Sequence, residues 1–122
     1  MKYEEMKYDL VIVGAGPAGL STAIKGKQLD KINNTNHSVC ILEKGAEVGS
    51  HIISGAILET SSLDELLPNW RETDIPVKTM VSKENFYYLT KNNYFRLPDF
   101  LLPKQMKNEG NFIISLGNLC KW

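Results

Sequence analysis

The stretch Leu10-Val11-Ile12-Val13-Gly14-Ala15-Gly16-Pro17-Ala18-Gly19 decides the fold. Its first four residues form a continuous apolar run, the signature of a strand buried on both faces of a parallel sheet. The run ends in GxGxxG, and Pro17 to Leu29 reads as a helix with Ala18, Ala23 and Ile24 available for packing. Gly26 weakens that helix near its end. Asp30 to Ser38 is polar and turn-rich and is expected to be a loop. Val39-Cys40-Ile41-Leu42 is a second short strand, which closes a β-α-β unit with a right-handed crossover.

In this context the glycines have separate tasks. Gly14 permits the tight turn, Gly16 lets a pyrophosphate approach the backbone, and Gly19 lets the helix lie close on the strand. Ala23 keeps the same contact tight. The helix N-terminus turns free N–H groups toward the phosphates. Glu43 ends the second strand, close to the spacing of about 20 residues at which an acid accepts a ribose 2′-hydroxyl. Its charge also opposes a 2′-phosphate, which disfavours NADP. These features indicate a dinucleotide site without separating FAD from NAD.

The rest of the chain is less regular. Gly45 to Ala56 is Gly-rich, with Gly49 and Gly55 where a cofactor could pass close to the backbone. Ser62-Leu63-Asp64-Glu65 fits a capping box with Ser62 as N-cap, and Pro68 should stop the short helix that follows. Phe86–Thr90 and Tyr94–Leu97, joined across Lys91-Asn92-Asn93, read as a hairpin whose alternating aromatics belong to a core. Pro98 and Pro103 frame an extended stretch, Phe112 to Leu116 reads as a strand, and Leu116, Leu119 and Cys120 as the start of a helix. The fold class is therefore α/β: a Rossmann-like FAD/NAD(P)-binding unit at 8–44, an irregular segment at 45–70, and a hairpin with the start of a further element at 71–122. A doubly wound sheet needs more than two parallel strands. The sheet is thus incomplete, and the expectation is a fragment of a larger chain.

Composition narrows the function classes. Fourteen basic and fourteen acidic residues leave no net field to attract nucleic acid. Cys40 and Cys120 form neither a disulfide framework nor a CxxC metal pair, as expected in a reducing compartment. Met1 to Asp9 is polar and includes Glu4 and Glu5, so it reads as neither signal peptide nor mitochondrial presequence. No apolar run reaches the roughly 20 residues of a membrane span, and any membrane contact is expected at the surface.

Several segments together resemble the electron transfer flavoprotein–ubiquinone oxidoreductase family. They are Asp9 to Ile24, Val39 to Lys44, Val48-Gly49-Ser50-His51, Ser54-Gly55-Ala56, Leu63-Asp64-Glu65-Leu66-Leu67-Pro68 and Trp70. Phe95-Arg96-Leu97-Pro98, Leu101-Leu102-Pro103 and Gly110 to Asn118 continue the match. Gly-Ala-Gly-Pro-Ala-Gly, with Pro17 after Gly16, resembles the FAD-binding loops of flavoproteins. The resemblance implies an oxidoreductase that uses FAD and one [4Fe–4S] cluster to pass electrons from reduced electron transfer flavoprotein to ubiquinone at a membrane surface. That surface is the mitochondrial inner membrane or a bacterial plasma membrane. The implied FAD-binding residues are Gly14, Ala15, Gly16, Pro17, Ala18, Gly19 and Glu43, with Lys44 near the adenosine and Gly49 and His51 near the flavin. For Lys44 and His51, surface or structural roles stay open. No side chain is assigned as catalytic or as a metal ligand.

By the same resemblance, residues from about Val48 to Asn69 dip into the membrane. Ile52, Ile53, Ile57, Leu58, Leu63, Leu66 and Leu67 form an apolar series that suits either that role or an ordinary core. The cluster cysteines and the quinone-contacting glycines of the family lie beyond Trp122, and Glu109 stands where many relatives have His. The alternatives are a related FAD-dependent reductase or monooxygenase using NAD(P)H, and a truncated product without activity. His37 is expected to be solvated, Cys40 and Cys120 to pack as small apolar groups, and Trp70 and Trp122 to anchor packing or an interface.

Overall fold

The computed structural model describes residues 3–53 and 55–122. Met1 and Lys2 of the polar leader, and Ser54 of the family resemblance, lie outside them. The chain opens with β1 (Leu10–Val13), α1 (Pro17–Asn33) and β2 (Val39–Leu42). The strands pair in parallel with Leu10 opposite Val39 and Val13 opposite Leu42, so the expected β-α-β unit is present.

The two faces of this sheet differ. Ile12 points at α1, where its Cγ2 atom lies 3.2 Å from the position a Cβ on Gly19 would take. Strand alternation sends Val11 and Val13 to the other side. There they are 48% and 84% exposed, and Leu42 is also exposed. The expectation of strands buried on both faces is corrected on this point: one helix covers one face, and among the described residues no second layer covers the other.

Gly19 sets the separation of helix and loop. A Cβ on it would fall 2.0 Å from the Gly14 carbonyl oxygen, well inside van der Waals contact. The helix also runs past the expected end at Leu29, through Gly26, to Asn33. Asp30 explains the extension. It is 6% exposed and its side chain collects donors from its own helix and from the following loop. Lys27 Nζ donates at 2.8 Å, Thr35 Oγ1 at 2.7 Å and the His37 amide at 3.0 Å, while His37 Nδ1 lies 2.5 Å from Oδ1. Lys27 also donates to the Asn36 side chain and the His37 carbonyl. Asn34, in the left-handed region at φ 53°, caps the helix by donating its N–H to the Asp30 carbonyl. His37, expected to be solvated, is exposed, and one ring nitrogen meets the Asp30 carboxylate.

The second half of the chain builds its own sheet and meets α1 where Gln28 Nε2 donates to the Leu66 carbonyl at 2.7 Å. It contains β3 (Gly55–Leu58), α2 (Ser61–Leu66), a 3₁₀ turn at Trp70–Glu72 and β4 (Thr79–Met80). The hairpin β5 (Tyr87–Leu89) and β6 (Tyr94–Arg96) follows, then 3₁₀ turns at Asp99–Leu101 and Lys104–Met106, β7 (Phe112–Ser115) and α3 (Leu116–Lys121). β7 lies between β3 and β4, antiparallel to both, with Gly55 opposite Ser115 and Thr79 opposite Ile113. The expected strand at Phe112 and the helix after it are found. β3 falls at the end of a segment read as irregular.

The core lies against this antiparallel sheet. Trp70, Ile75, Val77 and Ile114 are buried, with Leu58, Leu63, Leu67, Phe112 and Leu119 packed on them. Trp70 meets Phe112 edge-on at 6.1 Å, donates Nε1–H to Asp64 at 2.7 Å, and carries the Arg71 guanidinium 4.3 Å above its ring. Cys120 is buried, which pushes its thiol pKa up.

Three expectations are corrected here. The capping box at Ser62 does not form: Thr60 already has helical dihedrals and its carbonyl accepts the Asp64 amide at 2.7 Å, so Ser62 lies inside α2. The expected hairpin forms, with Tyr87 opposite Arg96 and Leu89 opposite Tyr94, but Tyr87, Tyr88, Tyr94 and Phe95 are exposed rather than core. Across the ribbon Tyr88 stacks on Phe95 and Tyr87 meets Tyr94 edge-on instead. The apolar series divides: Leu58, Leu63 and Leu67 join the core, while Ile53 is 98% exposed and Ile57 is exposed.

Two outcomes follow from the packing around α1. Gly19→Ala should destabilise the protein by at least about 2 kcal/mol, because a backbone carbonyl leaves no room for the methyl; the midpoint of urea unfolding reads this. These donors, with Lys27 of α1 foremost and His37 and Thr35 of the loop next, hold the Asp30 carboxyl well below the usual carboxylate range. A depressed pKa contributes stability that is full above the unfolded value near 4 and is lost as pH falls below it. Asp30→Asn should therefore lower the thermal midpoint at pH 7 and flatten its decline below about pH 4. A variant with the original acid limb would contradict this.

Candidate functional site

The glycine loop sits over the C-terminal ends of β1 and β2. Gly14 adopts φ +100°, which an L-residue rarely tolerates, and its N–H donates to the Leu42 carbonyl at 2.7 Å. Ala15 is buried. Gly16 is the N-cap of α1, extended at φ −80° and ψ −178°, with no side-chain cap. A Cβ on Gly16 would meet nothing within 4 Å. The space above Gly16 is thus open, whereas that beside Gly19 is closed.

Pro17 opens the helix, where its missing N–H costs no hydrogen bond. Leu20 is the first residue whose N–H closes a helical bond, to the Gly16 carbonyl at 3.0 Å. The amides of Ala18 and Gly19 therefore stand in the first turn, where helix geometry supplies no acceptor. They carry the positive end of a 17-residue helix dipole. Glycine conformation, open space and helix terminus together fit the pyrophosphate of a dinucleotide.

Glu43 follows β2 directly and is exposed. Its Oε2 accepts the Ala15 amide at 2.9 Å and its Oε1 accepts the Gly45 amide at 2.7 Å. These two bonds, Gly45's first, hold its pKa below the ordinary glutamate value, with a smaller contribution from the charge of His51. The carboxylate is ionised at neutral pH and suited to accept hydroxyl donors.

The remaining sequence-derived candidates fall around Glu43. Lys44 is exposed next to it. His51 is exposed in the turn that follows Gly49. Gly49, at φ +80°, has a packing reason of its own: a Cβ there would lie 2.5 Å from the Gly117 carbonyl oxygen. The structure thus brings together Gly14 to Gly19 and Glu43, and places Lys44, Gly49 and His51 on the loop that leaves Glu43.

Sequence reasoning missed two contributors to the site and one to the unit that carries it. Gly45 is one, since a Cβ on it would meet Ser50 Oγ at 2.4 Å and Glu43 Oε1 at 3.1 Å. Its position two residues after the acid was the available signal. Gly117 is another, because it forms the other side of the Gly49 crossing. No local pattern marks it. Asp30 is the third, and only its place at the end of a helix hinted at a structural role.

Comparison with known proteins agrees with this geometry. The family model described as NAD(P)-binding Rossmann-like domain matches residues 12–83. The chain is 53% identical, over 95% of its length, to the mitochondrial electron transfer flavoprotein-ubiquinone oxidoreductase of Dictyostelium discoideum. It is 50% identical over its whole length to the electron transfer flavoprotein-ubiquinone oxidoreductase of Pseudomonas aeruginosa. To the mitochondrial protein of that name from Homo sapiens it is 44% identical over 93% of its length. It spans 19%, 22% and 18% of these three relatives, about a fifth of each. By motif, geometry and family match, the chain belongs to the NAD(P)-binding Rossmann-like domain family, and over nearly all its length it is similar to electron transfer flavoprotein-ubiquinone oxidoreductases.

Proposed function

We propose that this chain is the FAD-binding part of an oxidoreductase that passes electrons from reduced electron transfer flavoprotein to ubiquinone. The observation that carries the reading is the glycine loop: Gly16 opens onto free space at the start of α1 while Glu43 waits at the end of β2. The relatives' names supply the electron donor and acceptor. Pro17 and the resemblance to Gly-Ala-Gly-Pro-Ala-Gly flavoproteins favour FAD over NAD.

Gly16 admits the pyrophosphate, and the Ala18 and Gly19 amides donate to it. Glu43 accepts the ribose hydroxyl and repels a 2′-phosphate. Lys44 lies toward the adenosine, and Gly49 and His51 lie toward the flavin, on the segment 45–70. When bound, the flavin supplies the redox chemistry; the protein holds and orients it and sets its surroundings.

The resemblance also implies a [4Fe–4S] cluster, which takes four thiolates. This chain has two cysteines, Cys40 on β2 and Cys120 on α3. Its residues do not supply such a site.

Among the described residues no helix is long and apolar enough to cross a membrane. We place the protein at a membrane surface, of the mitochondrial inner membrane or a bacterial plasma membrane, with the exposed Ile53 and Ile57 on the segment that meets the lipid.

Gly16→Val tests the site cleanly. Its backbone is extended and its Cβ meets no neighbour, so the fold should survive while the pyrophosphate is blocked. The expected result in the native gene product is an unchanged unfolding midpoint and at least about tenfold weaker FAD binding, a loss of about 1.4 kcal/mol. Flavin content equal to wild type in the folded variant would overturn the reading. Electron transfer from reduced electron transfer flavoprotein to a soluble ubiquinone should fall with flavin content.

A further inference from the structure

We propose that Glu43 is a positioning residue: its carboxylate ties the glycine loop to the loop after β2, and so sets the pyrophosphate site independently of any ribose contact. The part of this inference that concerns the ligand rests on the function proposed above.

The two amides that Glu43 accepts come from two different loops at the C-terminal end of the sheet. Ala15 belongs to the loop before α1 and Gly45 to the loop that leaves the sheet. Both bonds join a charged acceptor to a backbone donor, the stronger class of hydrogen bond. Ala15 is 3% exposed, so its N–H has little access to water should the acceptor be lost. Gly45 is pressed against the same carboxylate, with room for no side chain. A carboxylate offers about four lone-pair sites. Two are used within the protein, and two remain for hydroxyl donors. The side chain can therefore receive a ribose without releasing either loop.

Charge and position predict opposite signs for one substitution. Near a pyrophosphate, the negative Glu43 is repulsive, so neutralising it by charge alone strengthens anion binding. If Glu43 positions the loop, neutralising it weakens anion binding. Glutamine keeps the shape but has one acceptor oxygen, and its NH₂ faces the other amide donor to donor. Aspartate keeps the charge but is one methylene too short to serve both loops.

The test uses the full native protein stripped of cofactor, in wild-type, Glu43→Gln and Glu43→Asp forms. Hydrogen exchange resolved to single amides is measured at Ala15 and Gly45, with the β2 amides as the folding control. Binding of inorganic pyrophosphate, which has no ribose, is followed by calorimetry. Each variant should exchange about fivefold faster or more at one or both of Ala15 and Gly45, with β2 unchanged, and should bind pyrophosphate about fivefold more weakly, as loss of one hydrogen bond implies. Unchanged exchange at both amides, or tighter pyrophosphate binding by Glu43→Gln, would overturn the proposal and leave Glu43 as a ribose acceptor only. If no form binds pyrophosphate or FAD, the proposed function fails, and exchange alone decides whether Glu43 joins the loops.

Discussion

The contact of Gly19 with the Gly14 carbonyl governs the geometry of the first half of this protein. It sets how near α1 comes to β1, and through that the direction in which the helix dipole points. With the helix drawn close, Ile12 is covered and the first-turn amides stand at the mouth of the loop. A helix held farther out would leave Ile12 wet and turn those amides away from Gly16. Sequence, packing and chemistry thus meet at one interatomic distance that only glycine permits.

Two further devices hold this unit in register, and both are polar. Asp9 accepts the Ser38 amide and hydroxyl at 2.7 Å each, which ties the start of β1 to the start of β2. Asp30 gathers the opposite end of α1 and its loop around one buried carboxylate. The unit has few buried apolar side chains of its own, since one face of its sheet is open. Directional bonds therefore carry much of the specification that packing carries around Trp70.

Much of this was legible in the sequence where a local pattern maps onto a local structure. The first strand, the glycine turn, the second strand and the acid's place after it all lie within one β-α-β unit and were read in the right order, though β1 is covered on one face only. The Tyr87–Arg96 hairpin was readable for the same reason. What was not legible depends on distant partners. Gly49 has its conformation because Gly117 crosses it, and β3 is a strand because β7 lies beside it. Burial was the least readable property. The hairpin aromatics have the alternation of a core strand, but no other element of the described chain covers them. Ser62 had the right residues for a cap and the wrong backbone, because Thr60 starts the helix earlier.

The place of β7 between β3 and β4 has a consequence for the order in which the molecule assembles. The β1–β2 pairing joins residues about 30 positions apart, whereas the Gly55–Ser115 pairing spans about 60. Closing the longer loop costs more chain entropy, by about 0.6 kcal/mol for such a doubling, and contacts between distant residues slow folding. The nucleotide loop, with its short-range partners, can form before the Trp70 core closes. The Gly49–Gly117 crossing joins the two events, because the loop carrying His51 gains its neighbour only when β7 and α3 arrive.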